Sequence, residues 1–202
     1  MKTDVIVVSS KGARMEEALK EVDKVAGYKG LSHKSALHLR LLTEEMMGLM
    51  RSITGETEGC FWIEDQDNVY ELHLQTTTRM TSLKREKLLS AATSGKNESA
   101  KGFMGHIRDF FDRGADEDIA AYGSPLLMAG AFEKSSTPAL DWEWSMTRYE
   151  DELRPSIQRQ DAAALAAWDE LEKSVVARVA DDVKVSIKGR TAEVTIVKKI
   201  TE

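Results

Sequence analysis

With one cysteine among 202 residues the chain cannot form an internal disulfide, so its fold rests on an apolar core in a reducing compartment. Cys60 lies in the run Cys60-Phe61-Trp62-Ile63, where a buried, unreactive thiol is the simplest reading. Only three prolines are present, which argues against a long disordered linker. No stretch approaches the roughly 20 apolar residues that cross a bilayer. The start, Met1-Lys2-Thr3-Asp4-Val5-Ile6-Val7-Val8, is too short in its apolar run, too acidic and without the cleavage site of a signal peptide. The reading is therefore a cytoplasmic protein without membrane attachment. Positive charge is not in excess either: 28 Lys and Arg face 34 Asp and Glu, a net charge of -6. That balance repels phosphate backbones and makes nucleic acid a poor partner. No Gly-x-Ser-x-Gly elbow or Walker A segment occurs, and His33, His38 and His73 have no metal-ligand spacing with one another or with Cys60.

What is present suits one globular domain. Hydrophobic residues make up 42% and charged residues 31%, ordinary values for a chain long enough to bury a core without staples. Val5 to Val8 is β-branched throughout and ends at Ser9-Ser10 and Lys11-Gly12, which predicts a strand. Met15, Ala18, Leu19, Val22 and Val25 recur at helical spacing before Gly27 and Gly30 supply a stop. Ser32 caps a second helix that runs to about Ile53. One of its stripes holds Leu39, Leu42, Met46, Leu49 and Ile53, and the opposite face holds Leu37, Leu41, Glu44, Gly48 and Ser52, which predicts cover on both sides. Its methionines, Met46, Met47 and Met50, read as adaptable core packing.

Phe61 to Glu64 and Val69 to Leu74 read as a hairpin around Asp65-Gln66-Asp67-Asn68. A short helix from about Ser82 to Ala92, a glycine-bearing loop over 94 to 102 and a helix carrying Phe103, Ile107 and Phe110 follow. The least legible part runs from about 114 to 140. Leu140 to Tyr149 reads as a strand with Trp142 and Trp144 on one side, and Asp161 to Ala180 as one alanine-rich helix. Val183, Val185 and Ile187, then Ala192, Val194 and Ile196, alternate around Gly189 as a terminal hairpin. The order βααββαα, a variable stretch, then βαββ predicts an α+β fold, a two-layer α/β sandwich whose mixed sheet carries helices mainly on one face.

The run Leu41-Leu42-Thr43-Glu44-Glu45-Met46-Met47-Gly48-Leu49-Met50 resembles the N-box helix of the GHKL ATPases, closest to the anti-sigma-factor serine kinases. In that family a Glu polarises the attacking nucleophile and an Asn four residues on holds the magnesium ion. Glu44 matches the first position, and Gly48 stands at the second. The family's second hairpin strand leads into Asp-x-Gly-x-Gly, whose Asp reads the adenine amino group. Here the stretch is Leu74-Gln75-Thr76-Thr77-Thr78-Arg79, which leaves Thr76 or Thr78 as the nearest acceptors. Gly95-Lys96-Asn97 and Lys101-Gly102-Phe103-Met104-Gly105 resemble the glycine-rich lid and second glycine box, with Gly95, Lys96, Lys101, Gly102 and Gly105 beside the phosphates. The resemblance covers roughly residues 1 to 112 and 181 to 199. It implies a single Bergerat-type domain over 1 to 202, with 113 to 180 enlarged or inserted before the last strands.

The implied function is regulatory, an anti-sigma-like protein that binds a sigma factor or an antagonist and whose use of ATP and magnesium is weak or absent. A working ATP-dependent serine kinase, with Glu44 as base and Glu45 or Ser52 as substitute metal ligand, stands beside it. So does a small-molecule-binding or purely structural domain. A homodimer through the sheet or the first helix is also consistent with the family. Glu44 is equally well read as a solvated carboxylate paired with Arg40, four residues earlier. The glycine loop also reads as an ordinary helix-to-helix connection with solvated lysines.

Overall fold

A computed structural model describes residues 1–9, 14–54, 58–77, 141–188 and 191–201. The chain opens with strand β1 (Ile6–Ser9), helices α1 (Met15–Lys29) and α2 (His33–Thr54), and strands β2 (Glu58–Gln66) and β3 (Val69–Thr77). After residues 78–140 come β4 (Asp141–Ser145), α3 (Met146–Gln158), α4 (Ala162–Lys173), α5 (Val175–Val179), β5 (Asp182–Lys188) and β6 (Thr191–Lys199). The six strands form one sheet in the order β1-β2-β3-β6-β5-β4.

The layering is the expected α+β sandwich, but every strand pairing is antiparallel rather than mixed. The reason is in the connections. β2 and β3 are joined by two residues, Asp67 and Asn68, both at positive φ (51° and 64°), the backbone that a primed hairpin turn requires and that Asp and Asn tolerate. The turn is thus two residues shorter than the sequence implies, because Asp65 and Gln66 still pair with Tyr70 and Val69. β5 and β6 pair through the same frame, and a constant shift of 122 positions, the distance from Val69 to Thr191, carries β3 onto β6. Each half therefore repeats strand, helices, hairpin, and the two halves meet along β3 and β6.

Alternation then sorts the side chains. Phe61, Ile63, Leu72, Leu74, Val183, Val185, Val194 and Ile196 occupy one face and are fully or nearly fully buried. Ala18, Val22 and Val25 of α1, Leu39, Leu42, Met46 and Met47 of α2, Met146 and Tyr149 of α3, Leu171 of α4 and Val176 of α5 complete the same core. Of the two glycines expected to stop α1, Gly30 ends it in the left-handed conformation (φ 66°), while Gly27 is tolerated within the helix. The Ser32 hydroxyl accepts the Ser35 N–H at 3.3 Å, so the capping reading of α2 holds.

The second half differs from the sequence reading in two places. The strand around Trp144 stops at Ser145, whose side chain accepts the Arg148 N–H at 3.2 Å and starts α3, so Met146 to Tyr149 are helical. The alanine-rich helix is interrupted at Ser174, which adopts an extended backbone (φ -73°, ψ 124°) and caps α5 through Ala177 N–H. Residues 141–180, within the stretch expected to be enlarged, supply an edge strand and three helices to this sheet, while 113–140 lie outside the described residues. Among the described residues no helix is long and apolar enough to cross a membrane.

Candidate functional site

Helix α2 carries the residues that point to chemistry. At about 100° per residue, its buried side chains, Leu39, Leu42, Thr43, Met46 and Met47, gather on the side facing the sheet. Leu37, Glu44 and Gly48 fall on the opposite side and are exposed, Leu37 by 50%. Among the described residues, nothing supplies the cover predicted for this second face at these three positions. Thr43 resolves its own buried hydroxyl by donating to the Leu39 carbonyl one turn back at 2.9 Å.

Glu44 stands within an ion-pair chain. Its Oε1 lies 3.6 Å from Arg40 Nε, and Arg40 Nη1 lies 2.8 Å from Asp23 Oδ2 on α1. The i, i+4 partner anticipated from the sequence is the one observed, and the carboxylate remains 46% exposed. Four residues on, a Cβ added at Gly48 would meet nothing within 4 Å among the described residues. Alanine at this position removes the entropic penalty of a mid-helix glycine and is expected to stabilise the fold by about 0.5–1 kcal/mol. Differential scanning calorimetry of Gly48→Ala checks this, and a lower melting temperature would show that Gly48 is packed against something.

Thr76 is 5% exposed and sits on the helix-facing side of β3. Its hydroxyl donates to the Glu58 carbonyl at 2.8 Å, tying the end of β3 to the start of β2. The proton is thus committed, and the oxygen lone pairs are what remain to accept a donor. Glu44 and Thr76 are not brought together, since one lies on the side of α2 turned away from the sheet and the other on the sheet beneath. Thr78, Gly95, Lys96, Lys101, Gly102 and Gly105 lie outside the described residues.

Two further clusters had no signal in the sequence. On the sheet face away from the helices, His73 stacks on Trp62 with ring centroids 4.8 Å apart and planes 1° from parallel. Its Nδ1 is 2.9 Å from Glu193 Oε1, its Nε2 is 3.7 Å from Glu71 Oε2, and Thr195 Oγ1 is 3.2 Å from Nδ1. Lys2 stands 5.0 Å from the centre of the Trp62 ring and 2.9 Å from Glu64 Oε1. The hydrogen bond from Lys2, followed by that from the Trp62 indole, lowers the Glu64 pKa. Cys60, on the same face, is half-buried rather than enclosed.

The other cluster is on the helix side, where the buried Asp65 meets Lys29 Nζ at 2.5 Å and the Met1 ammonium at 3.3 Å. Both clusters depend on strand register, and no local spacing announces them. Among the described residues no three His, Cys, Asp or Glu side chains gather as a metal site. No protein-family model matches the chain, and no curated protein or solved structure matches it.

Proposed function

We propose that this chain is a cytoplasmic regulatory protein of GHKL-like architecture that acts by binding another protein, anti-sigma-like in kind, with ATP use weakened or lost. The observation that carries the reading is the condition of the outward face of α2. Its one matching carboxylate, Glu44, is engaged by Arg40, and the position four residues on offers bare backbone where a nucleotide-binding member of the family holds magnesium. Each such lost contact is worth about 1.5–3 kcal/mol when charge-assisted, enough to lower affinity a hundredfold when two are missing. The net charge of -6 favours a protein partner over a nucleic acid.

Thermal unfolding with millimolar Mg-ATP tests it. Ligand at a hundred times its dissociation constant adds about 2.7 kcal/mol, or roughly 5–10 °C for a domain of this size. The native chain is expected to move by less than about 1 °C on this scale. Gly48→Asn restores the family's metal-holding side chain into open space and is expected to introduce a magnesium-dependent shift of several degrees. A full shift in the native chain that Glu44→Ala abolishes would instead favour the serine kinase, a reading helped by the lone pairs of Thr76 Oγ1.

A further inference from the structure

Across the middle of the sheet, strand register lines up four side chains on the face away from the helices: Trp62 of β2, His73 of β3, Thr195 of β6 and Lys184 of β5. Each stands directly opposite the next, so the row is set by strand pairing and not by any local motif. His73 is 9% exposed. The groups around its ring come from its own strand and those beside it. β2 supplies the stacked Trp62 and, bonded to the indole, Glu64, with Lys2 against both. β3 supplies Glu71, and β6 supplies Glu193 and Thr195. Lys184 of β5 lies 3.5 Å from Glu71 Oε1.

Glu193 fixes the tautomer of the ring. Its Oε1 lies 2.9 Å from Nδ1 and a carboxylate only accepts, so the hydrogen-bond network puts the ring proton on Nδ1. Thr195 turns its hydroxyl toward the same carboxylate oxygen at 3.5 Å. Nε2 is then a bare lone pair. It is buried without a hydrogen-bond partner among the described residues, and the atom it faces, Glu71 Oε2 at 3.7 Å, is an acceptor too. That separation is too long for a hydrogen bond and too short for a water to bridge with two ordinary ones. One more proton on Nε2 satisfies both atoms, since it makes the ring a double donor between two carboxylates. The stacked indole, 4.8 Å away, favours the same cation.

We propose that His73 is a pH-sensitive latch: a second proton, taken up at Nε2, draws Glu71 into a charge-assisted hydrogen bond and loosens its contact with Lys184. Glu71 can make that move because neither of its contacts is tight, 3.7 Å to His73 and 3.5 Å to Lys184, and because its side chain is only partly buried. Acidification thus exchanges the partner of Glu71 and releases the Lys184 ammonium to pair with another anion on this face. The latch goes beyond the partner-binding reading and does not rest on it.

Long-range proton–nitrogen NMR of the assigned His73 ring, followed from about pH 8 to about pH 5, tests the proposal. At the alkaline end Nδ1 is expected to carry the proton and Nε2 to be bare, the reverse of the tautomer that free histidine prefers. Acidification should then protonate Nε2. Glu71→Gln removes the facing charge and should lower the midpoint of that step by about 0.5–1 in pH, a roughly three- to tenfold loss of proton affinity. Lys184→Met leaves Glu71 to His73 alone and should raise it. Both side chains are partly exposed, so neither substitution empties the core. A neutral ring protonated at Nε2 in the native chain, or a midpoint that either substitution leaves in place, would overturn the proposal.

Discussion

Truncating Leu42 to alanine is expected to cost about 3 kcal/mol and to lower the melting temperature by roughly 6–12 °C, whereas the same truncation at Leu37 should change stability by no more than about 0.5 kcal/mol. Both leucines lie on α2, five positions apart, and either can be assigned to the buried side from the sequence alone. Leu42 has no exposed surface and packs in the core with Val22, Met46 and the strands beneath, so its loss removes apolar burial and leaves a cavity. Leu37 already shows half its surface to solvent. The pair of measurements, made by chemical denaturation, reports which side of the helix faces the sheet. Equal costs at the two positions would mean that the face carrying Glu44 and Gly48 is covered as well, and the account of that face would have to be abandoned.

Loss of the Asp65 carboxylate should be nearly as damaging. Asp65→Ala removes a buried charge whose partners are Lys29 and the Met1 ammonium, and a hydrogen-bonded charge pair of this kind contributes about 2–3 kcal/mol. Burial by itself raises the pKa of this carboxyl, but the hydrogen bond from Lys29 and the positive charge of the Met1 ammonium, 3.3 Å from Oδ1, outweigh it, so the net displacement is downward from 3.8. The sign of the pH dependence follows. A depressed carboxylate stabilises the fold above its unfolded value and loses that contribution as pH falls through its folded one. Lys29 moves the other way, its pKa raised above 10.5 by the hydrogen bond to Asp65. Its contribution is complete below that value and disappears as pH climbs through the folded pKa. Urea denaturation of the native chain should therefore show a plateau between these limits and a decline on the acid side that Asp65→Asn removes. An acid limb identical in the variant would place the titrating group elsewhere.

Local pattern made most of the elements visible, and partners distant in the chain account for what stayed hidden. The strand at Val8, the amphipathic spacing of α1, the Ser32 cap and the alternation from Val183 to Ile196 are all written within a few residues, and each appears where the spacing puts it. The breaks at Ser145 and Ser174 are not legible in the sequence because a serine inside an apolar run can continue an element or start a helix, and only the backbone of its neighbours decides. Antiparallel pairing throughout depends on which strands meet, a property of the whole sheet. Glu44 was identifiable as a residue of interest together with its Arg40 partner, yet the leucines on both sides of α2 concealed which side it occupies. The contacts of His73 with Glu193 and of Asp65 with Lys29 join residues that share no sequence window.

The meeting of β3 and β6 also bears on how the molecule forms. Each hairpin closes through a handful of residues, but the pairing between them, from Thr77 opposite Thr191 to Val69 opposite Lys199, requires a chain excursion of more than a hundred residues to be brought back on itself. The entropy lost in that closure precedes any contact that rewards it. Folding should thus proceed as two quickly formed, individually marginal units whose slow step is their lateral joining, and substitutions along that central line should retard refolding more than they accelerate unfolding.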